Sequence, residues 1–211
     1  MKTTLLKTTL STIMAALLLQ TVASSASETN TVTRTCCMRP LAPATFTDKS
    51  LYQVQSKWTT DGGKEIKFSD LAGKPQVVLM FFSHCTTACP ALVYHLRDIE
   101  SSLTPAERNQ TGITLVSFDS ERDTPAVLSQ YRKALDLSDN WTLLNGKPDD
   151  IRELAALLGV QYKQNADGQF AHSNAITLLN ADGEIVFQQT GLDSGPEEML
   201  SQIRQLLTVK K

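Results

Sequence analysis

The sequence has few cysteines, few histidines and no excess of basic charge. Its 211 residues include four cysteines, three histidines, 20 lysines plus arginines and 22 acidic residues, for a formal net charge of −2. Nucleic-acid binding needs clustered positive charge, so this balance argues against a nucleic-acid partner. Four cysteines are too few for a small domain held together by disulfides. Ten glycines and eight prolines exclude a collagen-like chain, and a 41% hydrophobic content excludes a wholly disordered one.

The N-terminal apolar run, Leu10 to Leu19, is too short for a bilayer, which needs about 20 residues. Lys2 and Lys7 precede the run and small residues follow it up to Ala26, which is the order of a secretory signal peptide. We expect cleavage after Ala26 and a periplasmic protein, with an uncleaved membrane anchor as the alternative. No later segment is apolar enough to cross a membrane, so we expect no stable span after cleavage.

Composition divides the mature chain into two parts. Residues 27–48 are rich in Thr, Ser, Pro and Ala and predict a flexible leader, which carries Cys36 and Cys37. From residue 49 to residue 211 the pattern is that of a globular domain. The remaining cysteines, Cys85 and Cys89, lie in this domain. In an oxidising compartment each thiol must be kept reduced, paired or bound to a metal.

Strand and helix patterns alternate along the domain and predict an α/β fold, a central mixed sheet flanked by helices. A strand over 51–58 and the turn at 61–64 predict an N-terminal β-hairpin extension. Asp123 and Thr124 before Pro125 are typical of a helix cap, and we assign a capping role to Asp123. Further strands are predicted at 76–82, 113–118, 141–144, 175–179 and 184–187, and helices at 91–103, 126–137, 148–158 and 196–207.

The Cys85-x3-Cys89-Pro90 segment lies between a buried strand and a helix. Cysteines four residues apart at a helix start can share one face, and the helix N-terminus favours thiolate over thiol. A thiolate is both the nucleophile of disulfide exchange and a ligand for soft metals. The spacing therefore permits redox chemistry, metal binding or a plain structural disulfide.

The three histidines differ in their expected roles. His172 lies in a loop before the terminal hairpin, and loops at one end of an α/β sheet converge, so His172 is a candidate ligand with Cys85 and Cys89. We expect the His84 ring to point away from the sulfurs, with orientation or acidification of Cys85 as the alternative, and His95 to be a partly exposed helical residue. Two thiolates and one imidazole suit copper, as Cu(I) or Cu(II), whereas structural zinc would need a fourth ligand.

Three sequence blocks in this order resemble the Sco/SenC family of copper proteins. They are Phe81-Phe82-Ser83-His84-Cys85-x3-Cys89-Pro90, Ser117-Phe118-Asp119-x3-Asp123-Thr124-Pro125, and Ala171-His172-Ser173 before Leu178-Leu179-Asn180-Ala181-Asp182-Gly183. The resemblance implies a thioredoxin-like fold, a role in cytochrome c oxidase assembly, and Cys85, Cys89 and His172 as copper ligands. It implies a structural or supporting role for Asp119 and Asp123. Thr86-Thr87-Ala88 departs from the Pro-Asp that family members often carry between the cysteines.

We therefore expect a copper metallochaperone rather than an enzyme. Its partners would be a copper-receiving protein, such as a cytochrome c oxidase subunit, and a thiol-disulfide redox partner. The alternatives are a thiol-disulfide oxidoreductase that keeps a partner's copper-site cysteines reduced, and a domain with an inert disulfide. A peroxiredoxin would need Pro and Thr where Val78 and Phe82 stand, and a thioredoxin would need a Cys-x2-Cys spacing. For Cys36 and Cys37 we hypothesise an auxiliary copper-capturing or electron-supplying dithiol, with an interchain or incidental disulfide as the alternative.

Overall fold

A computed structural model of the chain describes residues 46–191 and 195–208. The predicted signal peptide, most of the predicted leader, and Cys36 and Cys37 lie outside these residues. At the end of the predicted leader, Phe46 packs edge-on against Tyr52 with ring centroids 5.4 Å apart. In the part of the chain that is described, no helix is long and apolar enough to cross a membrane.

The described residues form nine strands and five α-helices. The strands are β1 Lys57–Thr60, β2 Glu65–Lys67, β3 Gln76–Phe81, β4 Gly112–Ser117, β5 Trp141–Gly146, β6 Tyr162–Gln164, β7 Phe170–His172, β8 Ala175–Leu179 and β9 Ile185–Thr190. The helices are α1 Ala88–Ser102, α2 Pro105–Asn109, α3 Pro125–Ala134, α4 Pro148–Leu157 and α5 Glu197–Thr208.

Seven strands form one mixed sheet in the order β2-β1-β5-β4-β3-β8-β9. Strands β3, β4 and β5 are parallel neighbours, and every other pairing in the sheet is antiparallel. The predicted α/β fold with a mixed sheet is confirmed. The predicted N-terminal hairpin is also confirmed, because β1 and β2 pair with each other and β1 extends the sheet beside β5.

The centre of the sheet explains the continuous apolar runs in the sequence. All six residues of β3 are buried, and so are all six of β4. The buried side chains of the helices belong to the same hydrophobic core as these strands. Each fully buried Val, Leu or Ile contributes about 1.5–3 kcal/mol to the stability of this core. Strands buried on both faces are typical of the centre of a parallel sheet, so the apolar runs at 76–82 and 113–118 predicted β3 and β4 correctly.

Two element starts differ from the prediction by three residues or more. The strand predicted over 51–58 is replaced by a 3₁₀ turn at Leu51–Gln53, capped by the Ser50 hydroxyl, and the strand begins only at Lys57. Helix α1 begins at Ala88 rather than at the predicted residue 91. Proline is tolerated in the first turn of a helix because its missing N–H has no partner there, so Pro90 does not mark the start.

The hairpin formed by β6 and β7 was not predicted, and His172 lies at the end of β7 rather than in a loop. A signal for this hairpin is present in the sequence. The tetrapeptide Asn-Ala-Asp-Gly occurs at 165–168 and again at 180–183, where it connects β8 to β9. In both turns the Gly N–H donates to the Asn carbonyl and the Gly has a positive φ. The two flanking strands have only three residues each, which is too short for a clear alternation pattern.

Candidate metal and redox site

Three chain segments meet at one edge of the sheet. Because β3 and β4 are parallel, their carboxyl ends lie at the same edge, and the segments that begin at Phe82 and Phe118 start there. Strand β8 is antiparallel to β3, so its first residue, Ala175, lies at this edge too. The residues just before β8, including His172, are thus brought to the Cys85 segment. The directions of β3 and β8 therefore explain why the Cys85 segment and the His172 segment meet at one end of the sheet.

The structure brings Cys85, Cys89 and His172 together. One donor atom from each of the three side chains lies within 4.8 Å of the other two. The Cys89 sulfur is 3.4 Å from Nε2 of His172, and the Cys89 backbone N–H donates to the Cys85 sulfur at 3.4 Å. Both cysteines are free and buried, with 8% of Cys85 and 1% of Cys89 exposed. Two thiols and one imidazole therefore face one small volume.

The pKa values of the two thiols are shifted in opposite directions. Burial raises the pKa of Cys85, but hydrogen bonds from the backbone of Thr87 and Cys89 and from the Thr87 hydroxyl outweigh burial and lower the pKa from 9.0 to about 6. Burial raises the pKa of Cys89 far above its ordinary value, and the neighbouring Cys85 sulfur raises it further, against a smaller lowering by the Phe82 backbone. Near neutral pH the site therefore holds one thiolate and one thiol.

Hydrogen bonding selects the tautomer of His172. Its Nδ1 is 3.1 Å from the Ser173 carbonyl oxygen, which only accepts hydrogen bonds, so Nδ1 carries the proton in the neutral ring. Nε2 then presents its lone pair towards the Cys89 sulfur. A backbone carbonyl on the remote nitrogen is a common way to orient a histidine that binds a metal.

An aromatic cluster supports the His172 ring and the β6–β7 hairpin. The imidazole centroid is 5.2 Å from Phe118 and 6.2 Å from Phe82. Phe170 lies 5.1 Å from each of these two rings, and Tyr162 stacks on Phe118 at 5.1 Å. These contacts join the hairpin to the ends of β3 and β4. They are long-range contacts, which is why sequence patterns missed them.

The capping role predicted for Asp123 is wrong. The N-cap of α3 is Thr124, whose hydroxyl accepts from the Val127 N–H. Asp123 is fully buried, and its carboxylate accepts hydrogen bonds from the backbone and hydroxyl of Ser83 and from the hydroxyl of Ser117. It anchors the segment before Cys85 to the end of β4, in line with the structural role expected from the resemblance.

His84 and Asp119 lie beside the sulfur site. The His84 side chain is half exposed, and its Nδ1 lies 3.0 Å from the Ser83 hydroxyl and 3.5 Å from Asp123. Donor atoms of His84, Asp119 and Asp123 also lie within 4.8 Å of one another, but the Asp119 carboxylate is paired with Arg122. The main contributions to the pKa of Cys85 come from other groups. His95 is half-buried on α1 and accepts from the Gln189 amide.

The sequence model of the SCO1/SenC family matches residues 47–208, more than half of the chain. The chain belongs to the SCO1/SenC family. It is 28% identical over 165 residues to the SCO1 protein homolog of Bacillus subtilis, in an alignment that covers 75% of this chain and 85% of that protein.

Solved Sco structures resemble the fold. BsSco, described as a member of the Sco family of cytochrome c oxidase assembly proteins with a disulfide switch, is 26% identical, with a TM-score of 0.64 over 73% of this chain and 92% of its own. ScoI of Bradyrhizobium japonicum, solved with copper bound, is 24% identical, with a TM-score of 0.62 over 72% of this chain and 96% of its own. The thioredoxin-like fold expected from the Sco/SenC resemblance is confirmed.

Proposed function

We propose that this SCO1/SenC protein is a copper metallochaperone whose metal ligands are Cys85, Cys89 and His172. The observation that carries the proposal is the placement of two sulfurs and one imidazole nitrogen within 4.8 Å of one another at a buried site. The ligands come from two segments far apart in the chain, and the orientation of His172 leaves Nε2 free to bind a metal.

The donor set fits copper better than zinc. Thiolates are soft ligands that select Cu(I), and imidazole suits copper in either oxidation state. A structural zinc site uses four protein ligands, and among the described residues no fourth His, Cys or carboxylate donor lies in this group. The buried rings of Phe82 and Phe118 pack beside the His172 imidazole and place apolar groups next to the site.

The relatives support copper delivery to an oxidase. ScoI was solved with copper bound, and BsSco is described among cytochrome c oxidase assembly proteins. By extension, the receiving partner of this chain is a copper site of a cuproenzyme, such as a cytochrome c oxidase subunit.

Redox gating follows from the same two sulfurs. Oxidation of the two thiols to a disulfide removes two electrons and two protons and converts both sulfur ligands into poor donors. The electrons would pass to the disulfide of a thiol-disulfide partner, which is reduced to two thiols. BsSco, which is described with a disulfide switch, supports this proposal.

A second candidate function is thiol-disulfide exchange, and the acidity difference favours it. Cys85, with its pKa lowered to about 6, would attack a partner disulfide as the thiolate. Cys89, protonated and buried until this step, would then pass its proton to a partner sulfur that leaves, attack the Cys85 sulfur of the mixed disulfide and form the Cys85–Cys89 disulfide. The partner would be left reduced, with one thiol and one thiolate. Such a reaction would keep the copper-site cysteines of a partner ready to receive metal.

We also propose export to the periplasm, with residues 1–26 as a cleaved signal peptide, residues 27–48 as a leader and residues 49–211 as the domain. N-terminal sequencing of the mature protein tests the cleavage after Ala26. The double substitution Cys36→Ser and Cys37→Ser tests the auxiliary dithiol. If copper stoichiometry, reduction potential and oligomeric state are all unchanged by it, the auxiliary role is excluded.

Anaerobic titration of the reduced protein with Cu(I) tests the chaperone proposal. We expect one-to-one binding that His172→Ala weakens at least tenfold, because one of three ligands is lost. His95→Ala is the matched control, since His95 is a half-buried histidine outside the ligand group. Equal affinity of the wild type and His172→Ala would overturn the ligand assignment. Weak binding by both, together with rapid reduction of a partner disulfide, would favour the second function.

A further inference from the structure

The β6–β7 hairpin depends on contacts outside its own two strands. Among the described strands, β6 and β7 pair with each other and with no other strand, through Tyr162↔His172, Lys163↔Ala171 and Gln164↔Phe170. A two-stranded hairpin is marginally stable at best in water. Since His172 is the last residue of β7, the position of its imidazole depends on whatever holds the hairpin against the rest of the domain.

Arg122 contacts the hairpin at its turn. The Arg122 side chain donates from Nε to the Asp119 carboxylate and from Nη2 to the Gly168 carbonyl oxygen in the turn between β6 and β7. The guanidinium carbon also lies 5.9 Å from the centre of the Phe170 ring on β7. One side chain thus links the segment after β4 to both the turn and a strand of the hairpin.

The partners of Arg122 are themselves held in place. Asp119 is 4% exposed, its carboxylate also accepts from the Arg122 backbone N–H at 3.3 Å, and its own N–H donates to Ser117. Gly168 has a φ of +79°, and a Cβ there would lie 3.2 Å from Nη1 of Arg122. Glycine therefore allows both the turn conformation and the close approach of the guanidinium.

We propose that Arg122 is a positioning residue that fastens the β6–β7 hairpin to the end of β4 and so holds His172 against the cysteine pair. Its importance for copper rests on the proposed function, whereas the fastening itself requires no metal. Without the guanidinium, the Gly168 carbonyl loses its partner on the segment after β4. The hairpin is then held by the aromatic cluster, by the Gln169 amide that donates to the His84 carbonyl and by the contact between His172 and Cys89. The hairpin then opens more often, and the site loses His172 for part of the time.

Three variants separate this role from general stability. Arg122→Gln removes the charge and the reach to Gly168, whereas Arg122→Lys keeps a positive charge near Asp119 without the planar, forked donor geometry. Arg204→Gln is the matched control. Arg204 likewise donates to one carboxylate, Glu107, and one backbone carbonyl, that of Ser102, but on the α1–α2–α5 side of the domain.

Amide hydrogen exchange of the reduced, metal-free protein measures the fastening directly. We expect the amides of Asn165, Gly168 and Ser173 to exchange about tenfold faster in Arg122→Gln than in the wild type, and to show a smaller increase in Arg122→Lys. Each of these amides makes a backbone hydrogen bond in or beside the hairpin. The exchange rates of the β3 and β4 amides should change little in Arg122→Lys, and the exchange rates of the hairpin amides should be unchanged in Arg204→Gln. Unchanged hairpin exchange in both Arg122 variants would refute the proposal.

Copper binding provides the second measurement. In the Cu(II) form we expect nitrogen hyperfine coupling from His172 to weaken in Arg122→Gln and to recover in part in Arg122→Lys. If the wild type lacks this coupling, the ligand assignment fails while the exchange result still decides the role of Arg122. If the wild type shows it and neither variant alters it, Arg122 does not position His172.

Discussion

Asp123 provides the sharpest test of how the structure holds the segment before Cys85. Its buried carboxylate accepts from the Ser83 N–H at 2.9 Å, from the Ser117 hydroxyl at 2.5 Å and from the Ser83 hydroxyl. In Asp123→Ala the three hydrogen bonds are lost and the Ser83 N–H has no partner. A buried donor left unpaired costs about 1–3 kcal/mol, and bonds to a charged acceptor contribute about 1.5–3 kcal/mol each. Relief of burying the carboxylate offsets part of this loss, so we expect a net destabilisation of about 3–5 kcal/mol.

Two companion variants make this test specific. Asp123→Asn keeps the shape and one acceptor oxygen, so we expect a smaller loss of about 1–3 kcal/mol. Thr124→Ala removes the actual cap of α3 and should cost about 1 kcal/mol. The free energy of unfolding, measured by urea denaturation of the reduced metal-free protein, orders the three variants. If Asp123→Ala lowers the free energy of unfolding no more than Thr124→Ala does, the Asp123 carboxylate does not anchor the segment before Cys85.

Three further predictions concern the site. Iodoacetamide should alkylate Cys85 of the reduced protein at a rate that rises with pH through about 6 and then levels off. The reason is that the reactive thiolate forms as the pH passes the lowered pKa, and a midpoint near pH 9 would contradict this prediction. Thr87→Val should move that midpoint to higher pH, since it removes the hydroxyl 3.6 Å from the sulfur; an unchanged midpoint would exclude this hydrogen bond. Phe118→Ala should lower the free energy of unfolding, measured by urea denaturation, by about 3–5 kcal/mol. It should also weaken Cu(I) binding more than Leu115→Ala, which is a control at another buried residue of β4. Equal Cu(I) affinities of these two variants would show that the aromatic cluster does not support His172.

The parts of the fold that could be predicted are those set by local patterns. The runs that became β3 and β4 are apolar throughout, and their predicted bounds agree with the structure to within one residue. Helix α2 begins at a capping box in which Thr104 and Glu107, three residues apart, cap each other, and this pair is also a purely local signal. These signals need no distant partner, because burial periodicity and capping act over a few residues.

The errors occurred where distant residues decide between local options. Asp123 and Thr124 are both good capping residues, but proline prefers the first helical position, so Pro125 favours Thr124 as the cap. Asp123 faces inward because Ser83, 40 residues away, presents a hydroxyl and an N–H to its carboxylate. The hairpin before β8 was missed for a similar reason, since its short strands are stabilised by Phe82 and Phe118 from other segments.

The sequence by itself determined the kinds of donor atom, the three-residue spacing of Cys85 and Cys89, and the family blocks that point to copper. Tertiary structure decided that His172, 83 residues from Cys89, lies 3.4 Å from its sulfur. It also decided which thiol ionises, because the pKa of each sulfur depends on burial and on hydrogen bonds that form only in the folded chain. Composition and spacing are properties of the chain, whereas distance and acidity are properties of its packing.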